Sequence, residues 1–193
     1  MAAKKKAKKK LPKKPVKKTA KKPVKKSVRK AARKVPPIPK GYHTVAPQLC
    51  FQDAAFAMAF YENAFGAKEC FRLTEPNGRI GHAEMKIGDS HIMLSDEYPQ
   101  MAVLSAKTLH GSPIRLHLLV KNSDAFMAHA VAAGATIVRP MQEEFYGYRA
   151  GVVLDPFGYT WMIMTQVAVV SPKEMQKRMV KLMAVHRPEG SVS

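Results

Sequence analysis

Between Met1 and Lys40 the chain has no Asp and no Glu. Over its whole length it has two cysteines, Cys50 and Cys70, and one tryptophan, Trp161. No apolar run approaches the roughly 18 residues of a membrane span. Each shortage excludes something. Two cysteines in a chain of this size do not make a disulfide framework, and neither sits at a metal-type spacing. Both are expected to be buried thiols in a reducing compartment. No apolar stretch of about 7–15 residues follows the early lysines, so a secretory leader is not expected. The lysine-rich, proline-broken start is also unlike an Arg-rich amphipathic transit peptide. The expectation is a cytoplasmic protein with no membrane partner.

What is present divides at residue 40. The formal charge of +19 belongs to the first part, because the remaining 14 basic residues are matched by 14 acidic ones. Pro15-Val16-Lys17-Lys18-Thr19-Ala20-Lys21-Lys22 is followed by Pro23-Val24-Lys25-Lys26-Ser27-Val28-Arg29-Lys30, an eight-residue repeat. Prolines deny a continuous helix, like charges repel, and there is little apolar surface to bury. Residues 1–40 are therefore read as a disordered tail, ending in the stiff connector Val35-Pro36-Pro37-Ile38-Pro39. A flexible polycation binds a polyanion by releasing counterions, without reading sequence. The candidate contacts are Lys4, Lys5, Lys6, Lys8, Lys9, Lys10, Lys13, Lys14, Lys17, Lys18, Lys21, Lys22, Lys25, Lys26, Arg29, Lys30, Arg33 and Lys34. DNA or RNA is the partner expected, with nucleoid association as a corollary. A solubilising arm and a nuclear signal are the alternatives. The composition resembles the Lys-, Ala- and Pro-rich tails of linker-histone-like bacterial proteins.

The remaining roughly 150 residues suffice for one core. His43–Phe51 reads as a strand. Asp53 reads as an N-cap, Ala54–Phe65 as a helix and Gly66 as its stop. Strands are expected at Glu69–Thr74, Gly81–Ile87 and His91–Leu94, with turns at Pro76-Asn77-Gly78 and Gly88-Asp89. The order then recurs. Ile114–Val120 is a strand, Ser123 or Asp124 caps a helix to Ala133, and Gly134 ends it. Thr136–Arg139, Gly151–Leu154 and Thr160–Met164 are three more strands, the last two joined by Asp155-Pro156-Phe157-Gly158. Strand, helix and three strands, twice over, is an internal repeat. The fold class is α+β, with two βαβββ modules at about 42–96 and 113–166 inside a domain of residues 41–170. Ser171-Pro172-Lys173-Glu174 starts a C-terminal amphipathic helix, with Met175, Met179, Leu182 and Met183 on one side. That helix and a frayed end occupy residues 171–193.

Seven pieces, in order, resemble the vicinal oxygen chelate fold and its PhnB-like branch within the glyoxalase, bleomycin-resistance and dioxygenase superfamily. They are Phe60-Tyr61-Glu62-Asn63-Ala64-Phe65-Gly66-Ala67, Gly81–Ser90, Ile92–Glu97, Leu116-His117-Leu118, Ala132–Thr136, Phe145–Arg149 and Asp155–Trp161. Metal-dependent members place His and Glu on the first, fourth, fifth and eighth strands. The resemblance puts those places at Ala46, Met93, Arg115 and Met162, which are not usual ligands. It thus implies no metal and no cofactor, and a homodimer formed through exposed strand edges.

Polar groups still converge by spacing. His82 with Glu84, and Arg115 with His117, each share a strand face because they are two residues apart. Tyr146, Tyr148 and Arg149 precede the seventh strand on a loop. The PhnB-like pattern carries Asp where Tyr148 stands and His where Tyr159 stands, so titratable groups are lost there. Trp161 reads as core. The candidate cleft residues are His82, Glu84, Arg115, His117, Tyr146 and Arg149. The expected function is binding of an unidentified small molecule without glyoxalase chemistry. The alternatives are a lyase or isomerase with an atypical active site, and a drug-sequestering resistance-type protein.

Overall fold

The structure, a computed structural model, describes residues 35–185. The expected disorder of the lysine-rich segment and the frayed C-terminal end fall outside the described residues, apart from 35–40. The order is β1 (Gln48–Phe51), α1 (Ala54–Phe65), β2 (Lys68–Thr74), β3 (Ile80–Ile87), β4 (Ser90–Asp96), β5 (Arg115–Leu119), α2 (Ser123–Ala132), β6 (Thr136–Glu143), β7 (Tyr148–Leu154), β8 (Thr160–Gln166) and α3 (Pro172–Val185). Two mixed sheets form, ordered β1-β4-β3-β2 and β5-β8-β7-β6. These are the two βαβββ modules. Among the described residues no helix is long and apolar enough to cross a membrane.

Local chemistry sets the helix ends. Asp53 accepts the Phe56 N–H at 2.9 Å, and Gly66 closes α1 at φ 64°, where a side chain would be strained. In α2 the cap is Asn122, which accepts the Ala125 N–H at 3.1 Å, not Ser123 or Asp124. Ser123 is instead buried, its hydroxyl donating to the Arg149 carbonyl. The sixth strand runs through Pro140 to Glu143, beyond its expected end. The first strand is shorter than expected and begins at Gln48.

One core joins the two modules. Ala54, Ala57, Met58, Tyr61, Ala64 and Phe65 form the buried side of α1. Tyr61 crosses to the second module and donates to Asp155 Oδ2 at 2.7 Å. Trp161 Nε1 donates to the same oxygen at 2.9 Å, and the Phe157 and Tyr159 N–H groups donate to Oδ1. Tyr159 donates its hydroxyl to the Cys50 carbonyl and accepts the Cys50 N–H, pinning β1 to the β7–β8 turn. Cys50 is half-buried, whereas Cys70 is exposed, 3.9 Å from His91 Nδ1. The expectation of two buried thiols is therefore corrected for Cys70, because β2 is exposed along its whole length.

The loop before β7 is fixed by a close approach. The Gly147 carbonyl accepts the N–H groups of Val167 and Ala168. A Cβ at Gly147 would lie 2.5 Å from the Ala168 carbonyl oxygen, at a φ of +89°. Gly147→Ala is expected to lower stability by about 2 kcal/mol or more, read as a shifted urea midpoint. An unchanged midpoint would show that the loop relaxes freely.

Candidate functional site

Strand alternation sorts the polar residues. Ala83 and Met85 are buried in the shared core. Their neighbours His82 and Glu84 therefore occupy the other face of β3, turned away from the helices. On that face Glu84 lies opposite Met93 of β4 and Phe71 of β2, and His82 lies opposite Leu73. His82 Nε2 is 3.3 Å from Glu84 Oε1. Glu84 is 7% exposed, yet its Oε2 has no hydrogen-bond partner among the described residues. Phe71 and Leu73 remain exposed beside it.

The second module has a different outer face. Ala150, Val152, Met162 and Met164 form a separate buried apolar cluster, with Tyr146 and Tyr148 packed against it. Arg139 shares this face, opposite Val152, and forms an ion pair with Glu144. Burial first, then the Glu144 charge, pushes the Tyr146 phenol above its ordinary pKa. His117 lies opposite Met162 and Arg115 opposite Thr160, both exposed on edge strand β5.

Five of the six expected cleft residues thus fall on outer faces, but on two sheets. His82 and Glu84 belong to the first, and Arg115, His117 and Tyr146 to the second. The sixth is turned away. Tyr148 and Arg149 lie in β7, not in a loop, and β7 alternation sends Arg149 to the helix side. There it forms a two-pronged pair with Asp124, both contacts at 2.6 Å. The Arg149 hydrogen bonds hold the Asp124 carboxyl below its ordinary pKa. The Arg139–Glu144 pair has no sequence signal, because Pro140 makes β6 look finished at Arg139 and leaves Glu144 unplaced.

Strand pairing brings a different set of residues together from Ala46, Met93, Arg115 and Met162. Parallel pairing sets Gln48, not Ala46, against Met93, and His117, not Arg115, against Met162. The set across the inner strands is one carboxamide, one imidazole and two thioethers. Among the described residues, no three His, Cys, Asp or Glu come together as a metal would need.

The family model described as Glyoxalase/Bleomycin resistance protein/Dioxygenase superfamily matches residues 42–163. The chain is 38% identical over 138 residues to an uncharacterized protein of Mycobacterium tuberculosis, covering 70% of this chain and 81% of that one. The X-ray structure of a gene product from Arabidopsis thaliana matches with TM-score 0.50 and 30% identity, covering 63% of this chain and 95% of that one. The PhnB protein from Bacillus cereus matches in fold, with TM-score 0.51 at 15% identity over 64% of this chain and 99% of that one. Both modules have the vicinal oxygen chelate architecture, and the chain belongs to the Glyoxalase/Bleomycin resistance protein/Dioxygenase superfamily.

Proposed function

We propose that the outer face of the first module binds a small molecule without metal-dependent chemistry, and that the lysine-rich segment holds nucleic acid. The observation that supports the first part is the Glu84 carboxylate. Leaving a buried oxygen without a donor costs about 1–3 kcal/mol. A ligand with an amine or hydroxyl would supply that donor, while Phe71, Leu73 and Met93 would take its apolar body. The donor set Gln48, Met93, His117 and Met162 has one imidazole and no carboxylate, which does not fit a hard divalent cation. Homodimerisation belongs to the same reading. Phe71 and Leu73 on β2, with Ile137 and Val138 on β6, are exposed on edge strands that a second copy could cover.

The test combines stability with binding. Glu84→Met is expected to raise the stability of the free protein by about 1 kcal/mol, since it removes the unpaired oxygen and keeps the volume. In a thermal-shift panel of aromatic amines, compounds that stabilise the protein should lose their effect in Glu84→Gln. A Glu84→Met protein destabilised by about 2 kcal/mol or more would make the carboxylate structural and sink the reading. Manganese, nickel or zinc added and then removed by desalting should leave well below one ion per chain.

A further inference from the structure

A cavity of about 520 Å³ lies between the modules, walled from the helix side by Leu116, Leu118 and Trp161 and reaching the edge of β5 at His117, with none of the Glu84 face in its lining. Phe65, Phe126 and Trp161 wall one part of it, and Leu116 and Leu118 of β5 another. Phe65 and Trp161 meet at 4.6 Å between ring centroids, and Phe126 stacks on Phe65 at 6.1 Å. Trp161 is 2% exposed and its Nε1 is already given to Asp155, so it offers the cavity only ring carbons. The polar groups are at the mouth: His43, Ser90, His91 and His117, with His91 stacked on Tyr42 at 4.1 Å. Asp89, also there, accepts from Ser90 Oγ. Among the described residues no Lys or Arg lines the cavity. Imidazoles can donate to an acceptor, and an aromatic and aliphatic interior favours an apolar body. The volume lies within the roughly 300–1,000 Å³ of small-molecule pockets.

We infer that this cavity is a second binding site, for a molecule with an acyl or aryl body and a hydrogen-bond-accepting end such as a carboxylate. The site stands apart from the Glu84 face and needs nothing from it. Binding places the body against Trp161 and Leu118 and the acceptor among the mouth imidazoles.

Trp161 is the chain's single tryptophan, so its emission reports on this cavity alone. Bromine quenches indole fluorescence on contact. The full chain is titrated with bromodecanoate below its aggregation threshold. Saturable loss of most Trp161 emission, at one molecule per chain, is expected. Leu118→Phe fills the interior and Ser90→Phe narrows the mouth, and each should weaken binding by about tenfold or more. Bromodecylamine, with a cationic end, should bind at least tenfold more weakly, on the order of one such step. Glu84→Gln should leave the titration unchanged, which separates this site from the outer face. Absent quenching, equal quenching by acid and amine, or quenching untouched by both filling variants overturns the inference. If Leu118→Phe does not fold, Ser90→Phe decides, because Ser90 is the exposed first residue of β4, next to the Gly88-Asp89 turn.

Discussion

Raising salt from roughly 50 to 200 mM should weaken binding of the full chain to duplex DNA by on the order of 10³–10⁵-fold, if about 6–10 phosphates are engaged. The first forty residues carry 19 of the 33 basic side chains and no acidic one, so each phosphate contact releases counterion without an opposing charge nearby. The rest of the chain is balanced and exerts little long-range attraction. Deleting residues 1–40 should therefore abolish most binding, measured by anisotropy at matched salt. Changing Arg115, His117 or Glu84 should leave it nearly intact, and scrambled duplexes should bind alike. Binding that survives the deletion, or barely responds to salt, would move the contact to the folded domain.

The second large effect is expected at Asp155. Its carboxylate accepts from Tyr61, Trp161 and two backbone N–H groups, and it is 3% exposed. Burial raises its pKa above the ordinary Asp value, with the hydrogen bonds from Trp161 and Tyr61 opposing. Its charge is thus not a favourable term in itself. The loss on removal comes from four donors left without an acceptor in the interior. Asp155→Ala should cost about 3–5 kcal/mol, and Asp155→Asn less, since the amide oxygen can still take the two N–H groups. The melting temperature should fall on the order of 10 °C for the alanine variant. The pH response has a definite sign. A carboxyl with a raised folded pKa stabilises fully below its unfolded value, and that contribution is lost as pH rises through the folded value. Asp155→Asn should remove that part of the slope. The depressed Glu97 carboxyl, held down by hydrogen bonds from Ser105 and Thr108, contributes the reverse. Its stabilisation is present above the ordinary Glu value and fades as pH falls through the lowered one.

Asp53, Gly66 and the Asp155–Gly158 turn announce themselves in the sequence because their chemistry is local. The module repeat is legible for the same reason, in the order of caps, stops and turns. Its deeper correspondence is hidden by unlike side chains. In the first module Asp96 takes the N–H of Ala54 at the start of α1. In the second, Thr165 takes the N–H of Ser123 at the start of α2. One is a carboxylate and the other a hydroxyl, so no identity links them. Glu84 and His82 could be placed on one face by counting, but the unpaired oxygen depends on what covers it from neighbouring strands. Arg149 was misplaced because β7 starts three residues earlier than the apolar run implies. The inter-module cavity has no linear signal, since its walls come from both helices and both sheets.

The ties from Tyr61 to Asp155 and from Tyr159 to Cys50 bear on what happens when the backbone is cut. A protease nicking the connection between β4 and β5 would leave two fragments sharing one interior, each holding the other's hydrogen-bond partner. They should remain together as a non-covalent pair, and neither should be recoverable alone in native form. The duplicated architecture invites description as a tandem, yet in this chain the half is not a unit of inheritance that could be shuffled away from its companion.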